Sequence, residues 1–145
     1  MNAPQQTASR FGWAWLALAL ALALHVTDEA LTGFLSVYNP AVKTLRAHLL
    51  LPLPTLTFGV WLAGLVLGIC VLLALSVPAF RGARGMALLA YPLGILMFAN
   101  GVVHITGTVY MRRLMPGVYS APLLLVTSAY LLLMARRLRA SARDN

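Results

Sequence analysis

Acidic residues are almost absent. The 145 residues include three aspartates and glutamates against eleven lysines and arginines, and charged residues of both signs make up 10% of the chain. An ordinary globular domain carries about 25%. With a hydrophobic content of 61%, this shortage excludes a soluble fold and points to a helical membrane protein. One cysteine, Cys70, excludes an intramolecular disulfide; within an apolar run it reads as a packing residue. No glycine-rich phosphate loop is present, and no nucleophilic serine or cysteine is expected beside the polar cluster described below, which argues against nucleotide and acyl-enzyme chemistry. The net charge of +8 could suggest nucleic acid. The basic residues are scattered between apolar runs, however, so they read as topology signals and contacts to membrane lipids.

Four apolar runs remain, at about 11–34, 55–77, 86–110 and 118–135, between a polar tail (1–10) and a basic tail (136–145). The fold expected is an all-α bundle of four transmembrane helices. The first run follows Arg10 and offers no small-residue cleavage site before its polar end, so it is read as a retained span rather than a signal peptide. Trp13 and Trp15 suit an interfacial aromatic belt, and Gly59, Gly64 and Gly68 in the second run would permit close helix contact. The first connection holds Lys43, Arg46, His48, Pro40, Pro52 and Pro54; a short interfacial helix is expected from about Pro40 to Leu50. With the N-terminus inside, Arg10, Arg81, Arg84, Arg136, Arg137, Arg139 and Arg143 lie on one side, against Lys43, Arg46, Arg112 and Arg113 on the other. The positive-inside rule therefore predicts both termini in the cytoplasm of a bacterial-type cell membrane.

Two of the three acids are adjacent, in His25-Val26-Thr27-Asp28-Glu29, near the far end of the first run. His25, Asp28 and Glu29 stand at i, i+3 and i+4, so a helix projects them from one face. Unpaired, each charge costs roughly 2.5–3.5 kcal/mol at membrane depth. Asn100 and His104, again four apart, lie in the third run, which crosses in the same direction. At about 1.5 Å per residue both sets reach the same outer layer, and His48, Arg112 and Arg113 could join them there. Blander readings are interhelical hydrogen bonds for His25 and Asn100, ion pairs of Asp28 and Glu29 with Arg112 and Arg113, and backbone hydrogen bonds within their own helices for Thr32, Thr106 and Thr108. As a set, imidazoles and carboxylates form ligands for zinc, iron or manganese. Without metal they offer a general acid/base pair or a proton relay.

The segment HVTDEALTGF resembles the signature of the HXXEE-domain membrane proteins, a histidine followed three and four residues later by two acids. The run NGVVHITGTVYMRRLMPGVYSAP resembles that family's second block, an asparagine and a histidine on a helix and then a Pro-Gly turn into the last span. The order and spacing fit from the first span to the fourth. Asp28 stands where the family usually has glutamate, which shortens the reach by one methylene. The resemblance implies that His25, Asp28, Glu29, Asn100 and His104 are site positions and that Pro116-Gly117 is a structural turn; it brings no reaction.

The expectation is an intramembrane enzyme acting on a lipid or lipid-like substrate. His25, Asp28, Glu29 and His104 would be metal ligands or acid/base groups, with His48 a further ligand candidate. Asn100 would orient the substrate or His104, and Arg112 and Arg113 would bind an anionic headgroup. The alternatives are a proton-coupled carrier, which at this size calls for a homo-oligomer, and a structural subunit whose acids only pair with arginines.

Overall fold

The computed structural model describes residues 3–49 and 52–141, all helix and connection among these residues. The helices are α1 (Ala3–Thr32), α2 (Leu35–Leu49), α3 (Phe58–Phe80), α4 (Arg84–Met111) and α5 (Ala121–Ser141). Four of them, α1, α3, α4 and α5, are long and apolar enough to cross a membrane. Each satisfies its backbone polar groups internally, as hydrocarbon requires. The first helix starts at Ala3, so residues 3–10 are helical and continuous with the apolar run. The other spans run to Phe80, Met111 and Ser141, beyond the limits set by hydropathy alone. Asp144 and Arg143 lie outside the described residues.

Close packing joins α3 to α1, α1 to α5, and α5 to α4. α1 is therefore central, and Phe11, Ala14, Trp15, Leu18, Ala21, Leu22 and Val26 form the α1 share of the core. Trp15 is not an interfacial anchor: it is buried, and its indole N–H donates to the Leu72 carbonyl of α3 at 2.8 Å. Trp13 is 61% exposed and meets Phe80 edge-on. The glycine stripe of α3 also departs from expectation. A Cβ at Gly59, Gly64 or Gly68 would meet nothing within 4 Å, and Cys70 is exposed, so this face of α3 looks away from the bundle. The close approach is made by Gly94 and Gly101 of α4, where a Cβ would come within 2.8 Å of Leu132 and Leu125 of α5.

Between α1 and α3 the chain runs along the surface as α2, the expected amphipathic helix, beginning five residues earlier than Pro40. Asn39 holds the return segment by exchanging two 3.0 Å hydrogen bonds with the Leu56 backbone, and Arg46 donates to the Leu53 carbonyl. α1 ends in a Schellman turn. Gly33 takes the left-handed conformation (φ 79°), and the Phe34 N–H donates to the Glu29 carbonyl at 3.0 Å. That reversal folds Phe34 back over the end of α1, stacked on Trp61 of α3 and 5.8 Å from the His104 ring.

Candidate metal centre

Glu29 lies where α1 meets α4, with a histidine on each side. Its Oε1 is 3.1 Å from His104 Nε2 and 3.6 Å from His25 Nε2, and the two imidazoles meet edge to face with centroids 4.7 Å apart. All three side chains are buried. The ligand atoms of His25, Glu29 and His104 lie within 4.8 Å of one another, and the group could hold a metal ion. The two helices deliver these side chains at one level because both cross in the same direction, as the rise per residue requires.

The outer hydrogen bonds decide what the three atoms offer each other. His104 Nδ1 lies 2.5 Å from the Pro116 carbonyl. A carbonyl only accepts, so Nδ1 carries a proton and the ring turns Nε2 toward Glu29. His25 Nδ1 lies 2.9 Å from Ser120 Oγ, which is itself 2.8 Å from Asp28 Oδ2. The hydroxyl's one proton faces Asp28 Oδ2 and, at 3.2 Å, the Gly117 carbonyl, so the oxygen accepts from His25 Nδ1–H. His25 Nε2 then faces Glu29 Oε1, with the Asn100 side chain beside the ring. Two imidazole Nε2 atoms and a carboxylate thus converge in a buried space. Such an arrangement needs a cation, either a metal or a proton.

Asp28 is the principal departure from the sequence reading. It belongs to the support of the cluster, not to the converging set. Its Oδ2 accepts from the Ser120 N–H at 2.9 Å as well as from the hydroxyl, at the N-terminus of α5, where the helix dipole favours an anion. At about 100° per residue, i+3 falls on one side of the His25 line and i+4 on the other. Asp28 therefore turns to α5, and Glu29 turns to α4. The serine expected to be absent from the cluster is Ser120. It is buried and fully engaged with His25, Asp28 and the Gly117 carbonyl, so it orients the histidine rather than presenting a nucleophile.

Asn100 lies against His25 rather than His104, with a buried Oδ1 that lacks a hydrogen bond. His48 is exposed on α2 and takes no part in the converging group. Arg112 and Arg113 are exposed beyond the end of α4, and among the described residues neither pairs with Asp28 or Glu29, whose partners are Ser120 and the histidines. Thr32, Thr106 and Thr108 do bond their own helices. Thr32 and Thr108 also accept from the Gly117 and Met115 N–H groups, pinning the loop from α4 to α5. Gly117 is left-handed (φ 85°), and a Cβ there would lie 2.8 Å from His104 and 2.9 Å from Glu29. Only glycine lets this loop close over the centre. Pro116-Gly117 is thus the turn expected, with a further duty: its carbonyl fixes the His104 tautomer. A slot of about 150 Å³ leads to Glu29 between Phe34, Leu35, Phe58 and Trp61.

The family described as "protein of unknown function with HXXEE motif" matches residues 15–132. No curated protein and no solved structure matches the chain.

Proposed function

We propose that this chain, which belongs to the HXXEE family, is an intramembrane metal-dependent enzyme acting on a lipid or lipid-like substrate. The family carries no assigned function, so the reading rests on the site. The observation that carries it is the convergence of two imidazole Nε2 atoms on Glu29 Oε1. Tetrahedral zinc with bonds of 2.0–2.2 Å holds its ligand atoms about 3.3 Å apart, and the separations from Glu29 are 3.1 and 3.6 Å. Three protein ligands leave a fourth position, the pattern of catalytic rather than structural zinc. A divalent ion held there would supply Lewis acidity toward a carbonyl or phosphoryl oxygen. The chain's own contribution is the fixed tautomers, the exclusion of bulk water by Phe34 and the Pro116-Gly117 turn, and an apolar slot ending at the carboxylate.

The test is elemental analysis of the detergent-purified protein beside a His25→Ala/Glu29→Gln double variant, with helicity checked by circular dichroism. Near-stoichiometric zinc, iron or manganese in the wild type and none in the variant is the expected result. A wild type that carries no metal and takes up none on titration with Zn²⁺ overturns the metal reading. Incubation of both proteins with membrane lipid extract, read by lipid mass spectrometry, tests the enzymatic part. Identical lipid profiles refute it. The second reading, a proton-coupled carrier, draws on the chain Asp28–Ser120–His25, which links a half-buried carboxylate to the buried imidazole.

A further inference from the structure

Beside the His–Glu–His centre a groove of about 580 Å³ runs between α2 and α4. α2 turns Val37 and Ala41 toward it, and α4 turns Val103 and Gly107. These faces oppose each other, but the extensive helix packing lies elsewhere, between α4 and α5 and on either side of α1. In a bilayer, hydrocarbon must fill such a gap, because walls facing a void lose their dispersion contacts. Arg113 also lines the groove, an exposed guanidinium with no carboxylate partner among the described residues. Ser36 is common to the walls of this groove and of the slot that ends at Glu29, so the two spaces adjoin.

We infer that the groove binds a single-chain amphiphile with a carboxylate head, an anion of the fatty-acid type. The head lies on Arg113 and the chain runs between α2 and α4, past Ser36, toward Glu29. The volume of about 580 Å³ equals about nineteen waters at ~30 Å³ each, room for one acyl chain. The guanidinium matches a planar carboxylate in a bidentate pair. That this ligand is the substrate rests on the enzymatic reading above; that it binds does not.

The experiment titrates palmitate into the full-length protein in a non-ionic detergent and reads occupancy by native mass spectrometry. Methyl palmitate, lysophosphatidylglycerol and lysophosphatidylcholine form parallel arms. The expected result is saturation at one palmitate per chain, with methyl palmitate far weaker. Arg113→Gln should weaken palmitate roughly tenfold, the loss of one charge-assisted pair. Ala41→Phe should abolish binding by filling the groove. Metal content and thermal unfolding of both variants should match the wild type, which separates a filled groove from a damaged fold. Non-saturable uptake, equal binding of the methyl ester, or indifference to both substitutions overturns the inference. Preference for lysophosphatidylglycerol over palmitate refutes the carboxylate assignment. Palmitate binding by a protein without metal leaves this inference standing and sinks the metalloenzyme reading; metal without palmitate does the reverse.

Discussion

Ser120→Ala should separate metal affinity from simple stability. The hydroxyl lies 2.9 Å from His25 Nδ1, 2.8 Å from Asp28 Oδ2 and 3.2 Å from the Gly117 carbonyl. Its removal strands the Nδ1–H of a fully buried ring, which costs about 1–3 kcal/mol if the proton stays. The ring has an escape. Moving the proton to Nε2 brings it toward the Glu29 carboxylate, whose Oε1 is 3.6 Å away, and the electrostatic attraction recovers part of that loss. The escape removes one of the lone pairs on which a metal depends. Apo stability should therefore fall by only about 1 kcal/mol, while Zn²⁺ affinity falls about 10–100-fold, the usual effect of losing the partner that orients a ligating histidine. That range corresponds to roughly 1.4–2.8 kcal/mol. The assay is competition between a chromogenic chelator and the detergent-solubilised protein, alongside thermal unfolding without metal. Ser120→Thr keeps the hydroxyl and should restore most of the affinity. Zinc binding by Ser120→Ala within about twofold of the wild type would refute the tautomer assignment, as would a threonine variant as weak as the alanine.

Gly117→Ala introduces a left-handed alanine, about 1–2 kcal/mol, and a methyl against His104 and Glu29, about 1–3 kcal/mol of overpacking. A loss of roughly 2–5 kcal/mol is expected in thermal unfolding, with metal content reduced; an unchanged midpoint would contradict the loop geometry. Gly101→Ala, whose Cβ would meet Leu125 at 2.8 Å, should destabilise the α4–α5 contact. Gly64→Ala faces open space and should be neutral or stabilising by up to ~1 kcal/mol from helix propensity. Equal effects of the two in denaturant titration would show that the wrong face of α3 or α4 has been taken as packed.

The four spans and the polar layer were legible because hydropathy and rise per residue are local quantities. His25, Glu29 and His104 could be brought to one depth from their spacing alone. Which side of a helix each residue serves was harder to read. Near-uniform hydrophobicity around the helices leaves little periodic signal to say which face is inward, so Trp15 read as an anchor and Gly64 as a contact. Asp28 and Glu29 shared a face in the i, i+3, i+4 pattern, yet the angle between them suffices to send them to different helices. Ser120 carried the weakest signal, since its place depends on the path of residues 112–120. The hint available was the Pro-Gly turn just before it, which marks a chain reversal close to the preceding helix.

The sequence distance between partners bears on how the protein is made. Ser120 follows His25 by 95 residues and Asp28 by 92. At synthesis rates of about 5–20 residues per second, α1 exists for roughly 5–20 s before the end of α5 that receives Asp28 has left the ribosome. Throughout that interval Asp28 is without its final partner, while Glu29 has His25 on its own helix and waits only for His104. The place of the two acids near the C-terminal end of α1, rather than at its middle, puts them within the last five residues of that helix while the chain is unfinished. Helix formation and assembly of the centre are thereby separate events: α1 is complete long before the support that Ser120 gives Asp28 and His25 can form.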